Sequence, residues 1–566
     1  MNPSTRFIAA AASCLFILLG LAIIPYAGVQ TDESVFASPV YLYMNKEFRA
    51  RLFHHDIPLM VMSYIGTLKT LLYWPIFAWL GANVWTLRFP MVLAGAATVF
   101  IFFLLATRAA GPRAAIIGLA LLATDPLFLM TDTIDWGPVA IEHLLLVTGC
   151  FFLVRFAQPR VFEDTPISQN EPISKIRDAS QVDRLSTRNV SPSHVDLWAG
   201  FFFLGLALWN KAIFLWALAG LTLGVGLIFW RELRELFQWK RAAIAAGAFA
   251  LGALPFLIYN LRHPNATLKG NAAISTQELS GKFLQLRLSL GGESLFGFIA
   301  GEDFLDHPKN LTTLRGRASG WIRNHLGEHR VNGMVYACGA LLLAVPLWWR
   351  SRAARFSVVF CAVAWAAMAL TRDAGGAAHH AVLLWPFPQL FVAATLAAIP
   401  WRLPWKGIAI VGTGVLAAMN LLVVNQYIYQ LELNGADASF SDALFALSDA
   451  IPEKPDQRIY ILDWGMINSL ALLHRGRLTL RVANDAFLTD TPSAAEQRSI
   501  AYMLKDRDAL FVDHVPEREV FKGVGKRAGE AAERAGLRKD LLGTYADTNG
   551  RPVFELFRLI PVNAPP

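Results

Sequence analysis

Apolar residues run along this chain in long blocks separated by short polar breaks, and neither a strand period nor a surface-helix period dominates. Blocks of this length match the roughly 18–20 residues that a helix needs to cross a bilayer. Eleven such segments can be read, at roughly 7–27, 89–107, 113–131, 137–156, 197–210, 212–230, 242–260, 332–349, 355–371, 381–399 and 406–426. The fifth and sixth form one block, Trp198 to Trp230, split only at Asn210-Lys211, and the fifth is short for a full crossing. Beyond residue 426 the pattern changes. Arg458 to Asp463 and Ala509 to Asp513 read as strands, Met466 to His474 as a helix, and Leu541 to Leu559 as a hairpin around Thr548-Asn549-Gly550. The expected fold class is therefore a polytopic α-helical membrane protein, spanning over 1–426, with a small α/β domain outside the membrane over 427–566. That tail is long enough for its own core, and its expected role is accessory.

The stretch from Ile57 to Leu80 is ambiguous, because it is apolar but holds Lys69 and Pro75. Charge settles its reading. If it does not span, Arg108 to Arg113, Arg155 to Asp196, Arg231 to Arg241, Trp349 to Arg355 and Trp401 to Lys406 all lie on one side, and all are rich in Arg or Lys as inside loops are. Residues 57–81 are then expected as one or two juxtamembrane helices in the outer interface, where Trp74, Trp79 and Trp85 suit that depth. The outer side receives 28–88, the short Thr131 to Trp136, the loop 261–331, Thr371 to His380 and the tail. The insert Gln158 to His194 is polar and poor in aromatics, and reads as a flexible inside linker.

Composition agrees with this reading. Hydrophobic residues make up 55% and charged residues 17%, with mean hydropathy +0.40, against about 25% charged in soluble domains. The formal charge of +8 belongs to inside loops rather than to a nucleic-acid surface. The cysteines Cys14, Cys150, Cys338 and Cys361 all sit in apolar segments, so no disulfide framework or metal-binding Cys pair is indicated.

The topology gathers titratable residues at the outer boundary: Asp32, Glu33, His55, Asp56, Lys69, Asp132, Asp135, Lys211, Arg372, Asp373, His379 and His380. An acidic pair directly after a span is costly near hydrocarbon; Asp32-Glu33 is either the mouth of a polar cavity or the start of a solvated loop. Lys211 interrupts an apolar block of 33 residues, Trp198 to Trp230. It reads as a phosphate clamp or as a lysine snorkelling to the interface. His379-His380, with the nearby carboxylates, has the side-chain types to hold a divalent metal but no fixed ligand spacing, and proton handling or phosphate contact fits equally. Glu142 and Asp125 lie deeper and are expected to face protein or water. Asn265-Ala-Thr267 and Asn310-Leu-Thr312 match glycosylation acceptors, a pattern common by chance.

Four stretches taken in order resemble the GT-C glycosyltransferases, especially bacterial relatives of protein O-mannosyltransferases and lipid A aminoarabinose transferases. They are Thr31-Asp32-Glu33 after the first span; Asp56-Ile-Pro58 with Tyr64-Ile-Gly66, Phe77 to Gly81 and Leu87-Arg88-Phe-Pro90; Asp132 to Trp136; and Gly205 to Lys211. His380 to Pro388 is similar to the start of a late family span. Two departures stand out. Asp56-Ile57-Pro58 replaces the Glu-Lys-Pro of the aminoarabinose transferases, and 261–331 is too short for the sugar-binding-like domain of the mannosyltransferases.

The resemblance implies inverting transfer of a sugar from a polyprenyl-phosphate donor to a lipid, glycan or protein acceptor on the outer face. In that reading Asp32, aided by Glu33, is the base, and Lys211 with His379 or His380 meets the lipid phosphate. Asp132 or Asp135 orients the sugar hydroxyls or the acceptor, with Lys69, Asp56 and His55 as further substrate contacts. Residues 57–81 line the lipid's path from the bilayer. The family and the charge bias together place the chain in a bacterial inner membrane with the site and tail on the periplasmic side. Two other readings stay open. A transferase resembling O-antigen ligases would use a diphosphate lipid, for which Arg262, Arg287, Arg315, Arg317 and Arg323 would be wanted. A transporter or flippase would carry its charges near the midplane rather than at one surface.

Overall fold

The computed structural model describes residues 3–41, 47–52, 54–157, 193–269, 271–302, 311–399 and 404–564. Nearly all of the linker read at 158–194, Asn310 and the first half of the Trp401 to Lys406 loop lie outside them. Every expected apolar segment is helical. Six described helices are long and apolar enough to cross a membrane, and eight if each bent pair counts as one span. The shortfall from eleven has local causes. His194–Asn210 and Met334–Leu343 are short. Helix α1, Pro3–Ile23, is followed by the single turn α2, Thr31–Ser34, then by α3, Leu68–Leu80, and α4, Val84–Ala123. Helix α4 carries both the second expected span and most of the third, turning at Gly111 (φ 86°) before Pro112. A left-handed residue there admits glycine with little strain. Asp125 then caps a separate short helix, α5 (Pro126–Thr133), by accepting from the Phe128 N–H at 2.9 Å. Helix α6 is Val139–Ala157.

The segment 57–81 corrects its expectation. Only 68–80 is helical. Strands β1 (Phe48–Leu52), β2 (His55–Met62) and β3 (Ile65–Gly66) form an antiparallel sheet before it. A short apolar run such as Ile57 to Met62 does not distinguish strand from helix by period alone, and Pro58 with β-branched neighbours favours the extended form. The sheet has a positional consequence. Gly66 lies so close to the His194–Asn210 helix that a Cβ would sit 1.9 Å from the Trp209 carbonyl oxygen. The Ala212 N–H donates to Tyr64 O at 2.9 Å, and Ile65 bridges Lys211. The sheet edge thus fixes the backbone on which Lys211 stands.

The last long helix, Trp405–Asn434, runs eight residues past its expected end. After it come β4 (Arg458–Ile461), β5 (Thr479–Val482), β6 (Leu510–His514), β7 (Leu537–Ala546) and β8 (Pro552–Pro561). They form one sheet in the order β5-β4-β6-β8-β7, with β5-β4-β6 parallel and the β7–β8 hairpin antiparallel at one end. Alternate residues of β4 and β6 serve two cores. Tyr460, Leu462 and Phe511 pack under the Val524–Arg534 helix, whereas Ile459, Ile461 and Val512 join the apolar core that continues into the helical bundle. This double burial gives these strands near-continuous apolar sequences.

Candidate active site

The loop after α1 is held from several sides. Gly28 donates its N–H to Phe440 O at 2.7 Å, and a Cβ there would lie 2.1 Å from Ser441 O. The side chain of Gln30 caps α2 by accepting from the Asp32 and Glu33 N–H groups. Glu33 points inward. Its carboxylate takes two parallel bonds from Arg88, Nε to Oε1 at 2.7 Å and Nη2 to Oε2 at 2.9 Å. Arg88 is fully buried and also donates to the carbonyls of Ile24, Tyr26, Ala27 and Gly28. A buried guanidinium bound in this bidentate way holds its carboxylate immobile.

Asp32, one residue earlier, faces the other way. It is half-buried and lines a cleft of about 350 Å³. Its Oδ2 accepts from the indole N–H of Trp136 at 3.0 Å. That indole is a hub: its ring lies 4.4 Å from Phe298 and 4.2 Å from His379. Lys211, His379, His380, Tyr64, Trp216, Asn271 and Arg372 line the same cleft. Lys211 is only 6% exposed, and no carboxylate comes within ion-pairing distance of it among the described residues. Burial pulls its ammonium below the ordinary lysine range, while the more distant Asp32, Glu142 and Asp135 oppose that pull. Gly137, at φ 83°, makes room for the ammonium, since a Cβ there would sit 3.0 Å from Nζ. A cation that shares a cleft with a carboxylate and has no ion-pair partner among the described residues is suited to meet a phosphate brought by a ligand.

The other expected residues divide into two groups. Lys69 and Asp135 form a buried ion pair at 2.6 Å just behind the cleft, and Asp135 also caps α6 through the Ala140 N–H. Asp132 bonds His143 Nδ1 at 3.0 Å, and His143 Nε2 donates to Val382 O at 2.8 Å, tying the second outer loop to the segment after the His pair. Lys69, Asp135 and Asp132 are thus inside the protein, the first two paired with each other and the third with His143. Asp56 stands apart, half-exposed and paired with Arg49 at 3.3 Å on the β1–β2 hairpin, whose closed end is the His55–Leu52 pair. Among the described residues no three His, Cys, Asp or Glu side chains converge to hold a metal ion, so the donor set does not fit the divalent metal that the His pair suggested. Four of the five arginines wanted for a diphosphate are engaged elsewhere. Arg287 pairs with Glu293, Arg323 with Glu328, Arg315 reaches Ala22 O, and Arg262 lies over the Phe48 ring.

Sequence reasoning passed over Trp136 and Arg88 as working residues. Each carried a signal: an indole directly after Asp135 at the end of a six-residue outer loop, and a lone arginine entering an apolar helix.

No protein-family model matches the chain, and no curated protein matches it by sequence. Solved structures do match in shape. ArnT from Cupriavidus metallidurans bound to undecaprenyl phosphate superposes with a TM-score of 0.56 at 13% identity, covering 97% of each chain. The oligosaccharyltransferase of Archaeoglobus fulgidus, in complex with zinc and sulfate, superposes at 0.50 and 12% identity, covering 99% of this chain and 74% of its own. The archaeal oligosaccharyltransferase AglB from the same organism, with an inhibitory peptide and a dolichol-phosphate, gives 0.50 at 11% identity. The chain has the fold of these GT-C membrane enzymes.

Proposed function

We propose that this protein is an inverting glycosyltransferase acting at the outer face of its membrane, moving a sugar from a polyprenyl-phosphate donor to a hydroxyl- or amine-bearing acceptor that is a lipid, a glycan or a protein. The observation that carries this reading is the buried, unpaired Lys211 ammonium in the same cleft as Asp32. The donor phosphate sits against Lys211, with His379 and His380 beside it. The acceptor heteroatom attacks the anomeric carbon as the bond from that carbon to the phosphate oxygen breaks. The electron pair leaves with the lipid phosphate, where Lys211 meets the developing charge. Asp32 takes the acceptor proton. Trp136 holds Oδ2, leaving Oδ1 for this task. Glu33 serves by fixing the turn through Arg88. The GT-C fold supports the reading, as does the ArnT structure with undecaprenyl phosphate. The basic inside loops support a cleft that faces outward, and the resemblance to bacterial GT-C enzymes together with that bias supports placement in a bacterial inner membrane with the cleft toward the periplasm.

The test is incubation of purified protein in lipid nanodiscs with a panel of polyprenyl-phosphate sugars, scoring release of the lipid phosphate and transfer. Asp32→Asn is expected to lower transfer by roughly 10²- to 10⁴-fold while donor binding persists. Wild-type turnover in that variant would overturn the assignment of the base.

A further inference from the structure

The tail reaches the base-bearing turn directly. Asn468 and Ser469 open the Ile467–Leu473 helix that follows β4. Asn468 accepts from Ser38 Oγ at 3.1 Å and donates to Thr31 Oγ1 at 3.3 Å, and Ser469 Oγ lies 3.2 Å from Ser34 Oγ. All five side chains are buried, Ser34, Ser38 and Ser469 completely. Thr31 and Ser34 are the first and last residues of α2, so these bonds grip both ends of the turn that presents Asp32.

The grip is itself anchored. Asp463, two residues past β4, accepts from the N–H groups of Trp464 (2.7 Å), Val520 (2.7 Å) and Phe521 (3.0 Å), and from His514 Nδ1 on β6 at 2.8 Å. This fixes the direction in which the chain leaves the sheet toward Asn468. The tail is fastened separately to the helical part. Arg551 donates to Asn434 O at 2.8 Å, and Gly28 bonds Phe440. A polar network closed across two parts of the chain more than 400 residues apart is costly to leave half-made in a dry interface.

We infer that the tail is a positioning element for the transfer reaction, and that Asn468 and Ser469 are positioning residues that hold the Asp32 turn against Trp136 and the cleft. The inference rests on Asp32 being the base. Without the grip, α2 keeps its Gln30 cap and its Arg88 anchor, so the turn persists. Only its outer side slackens, and Asp32 loses its fixed distance to an acceptor. A displacement near 1 Å in a reacting group can reduce rate by about 10²-fold. Lys211 and the His pair stand on other elements, so donor affinity is left alone.

The experiment compares wild type, Asp32→Asn, the near-isosteric double variant Asn468→Leu/Ser469→Ala, and Asn468→Asp, all as full-length chains in nanodiscs. The double variant is expected to lose roughly 10- to 100-fold in kcat with donor KM unchanged, and to melt below wild type in a single transition because the network is left half-made. Wild-type kcat in a folded double variant overturns the inference, and so does an equal change in kcat and donor KM. Asn468→Asp supplies a second readout for the case in which the double variant does not fold. Its added carboxylate, next to Thr31, is expected to move the acid limb of the kcat profile up by about one pH unit, and an unmoved limb overturns the inference. Turnover in Asp32→Asn would instead overturn the proposed base, so the two failures are distinguishable.

Discussion

Glu33→Gln separates the two adjacent carboxylates by what each does. The glutamate receives two bonds from Arg88, at 2.7 and 2.9 Å, with both side chains at most 1% exposed. A glutamine has one acceptor oxygen, so one bond survives and its amide N–H₂ faces a guanidinium N–H, donor against donor. The lost charge-assisted bond alone costs about 1.5–3 kcal/mol. The guanidinium is then left without a counter-charge in a dry site, although four backbone carbonyls still bind it. Removing one partner of such a pair costs roughly 3–5 kcal/mol in total. Asp32→Asn, in contrast, keeps an oxygen for the Trp136 N–H and is expected to lie within about 1 kcal/mol of wild type. Thermal melting in nanodiscs, run beside a transfer assay, checks the pair. Glu33→Gln should melt well below wild type, and Asp32→Asn should melt normally but turn over slowly. A Glu33→Gln protein that melts like wild type yet transfers no sugar would refute the reasoning, because Glu33 would then be the group that takes the proton.

Further outcomes follow from single observations. Lys211→Met removes the buried cation while keeping its stem, and is expected to lower kcat/KM for the donor by roughly 10²- to 10³-fold, read by steady-state kinetics on a polyprenyl-phosphate sugar. Gly28→Ala places a methyl 2.1 Å from Ser441 O, a backbone atom, and should reduce the yield of folded protein measured by size-exclusion chromatography. Asp513 is pushed up to about 8 by burial and then by the charges of Glu519 and Asp463. The folded tail therefore keeps that proton while the unfolded chain releases it near pH 4. Stability from this group is lost as pH rises from about 4 to about 8. Hydrogen exchange of 510–530, corrected for intrinsic rate, should show protection falling from pH 5.5 to 8.5 in wild type and much less so in Asp513→Asn.

Hydrophobic block length by itself determined where the helices form, because a residue in hydrocarbon must satisfy its backbone within its own segment. Basic residues in one set of loops put the other loops on one expected side, and residues of 28–88, 131–136 and 371–380 do meet in one cleft. The pattern also exposed β4 and β6, whose two buried faces leave no polar alternation to hide them. It misjudged 57–66, where period could not choose between strand and helix and where pairing with β1 and the approach of Gly66 to Trp209 made the choice. Asp32, Lys211 and the His pair were visible as costly charges at a boundary. Their division of labour was not. Whether a carboxylate meets a guanidinium or an empty cleft depends on which side of a four-residue turn it leaves, and Arg88, Trp136 and Asn468, distant in sequence, decide that only when the chain has folded.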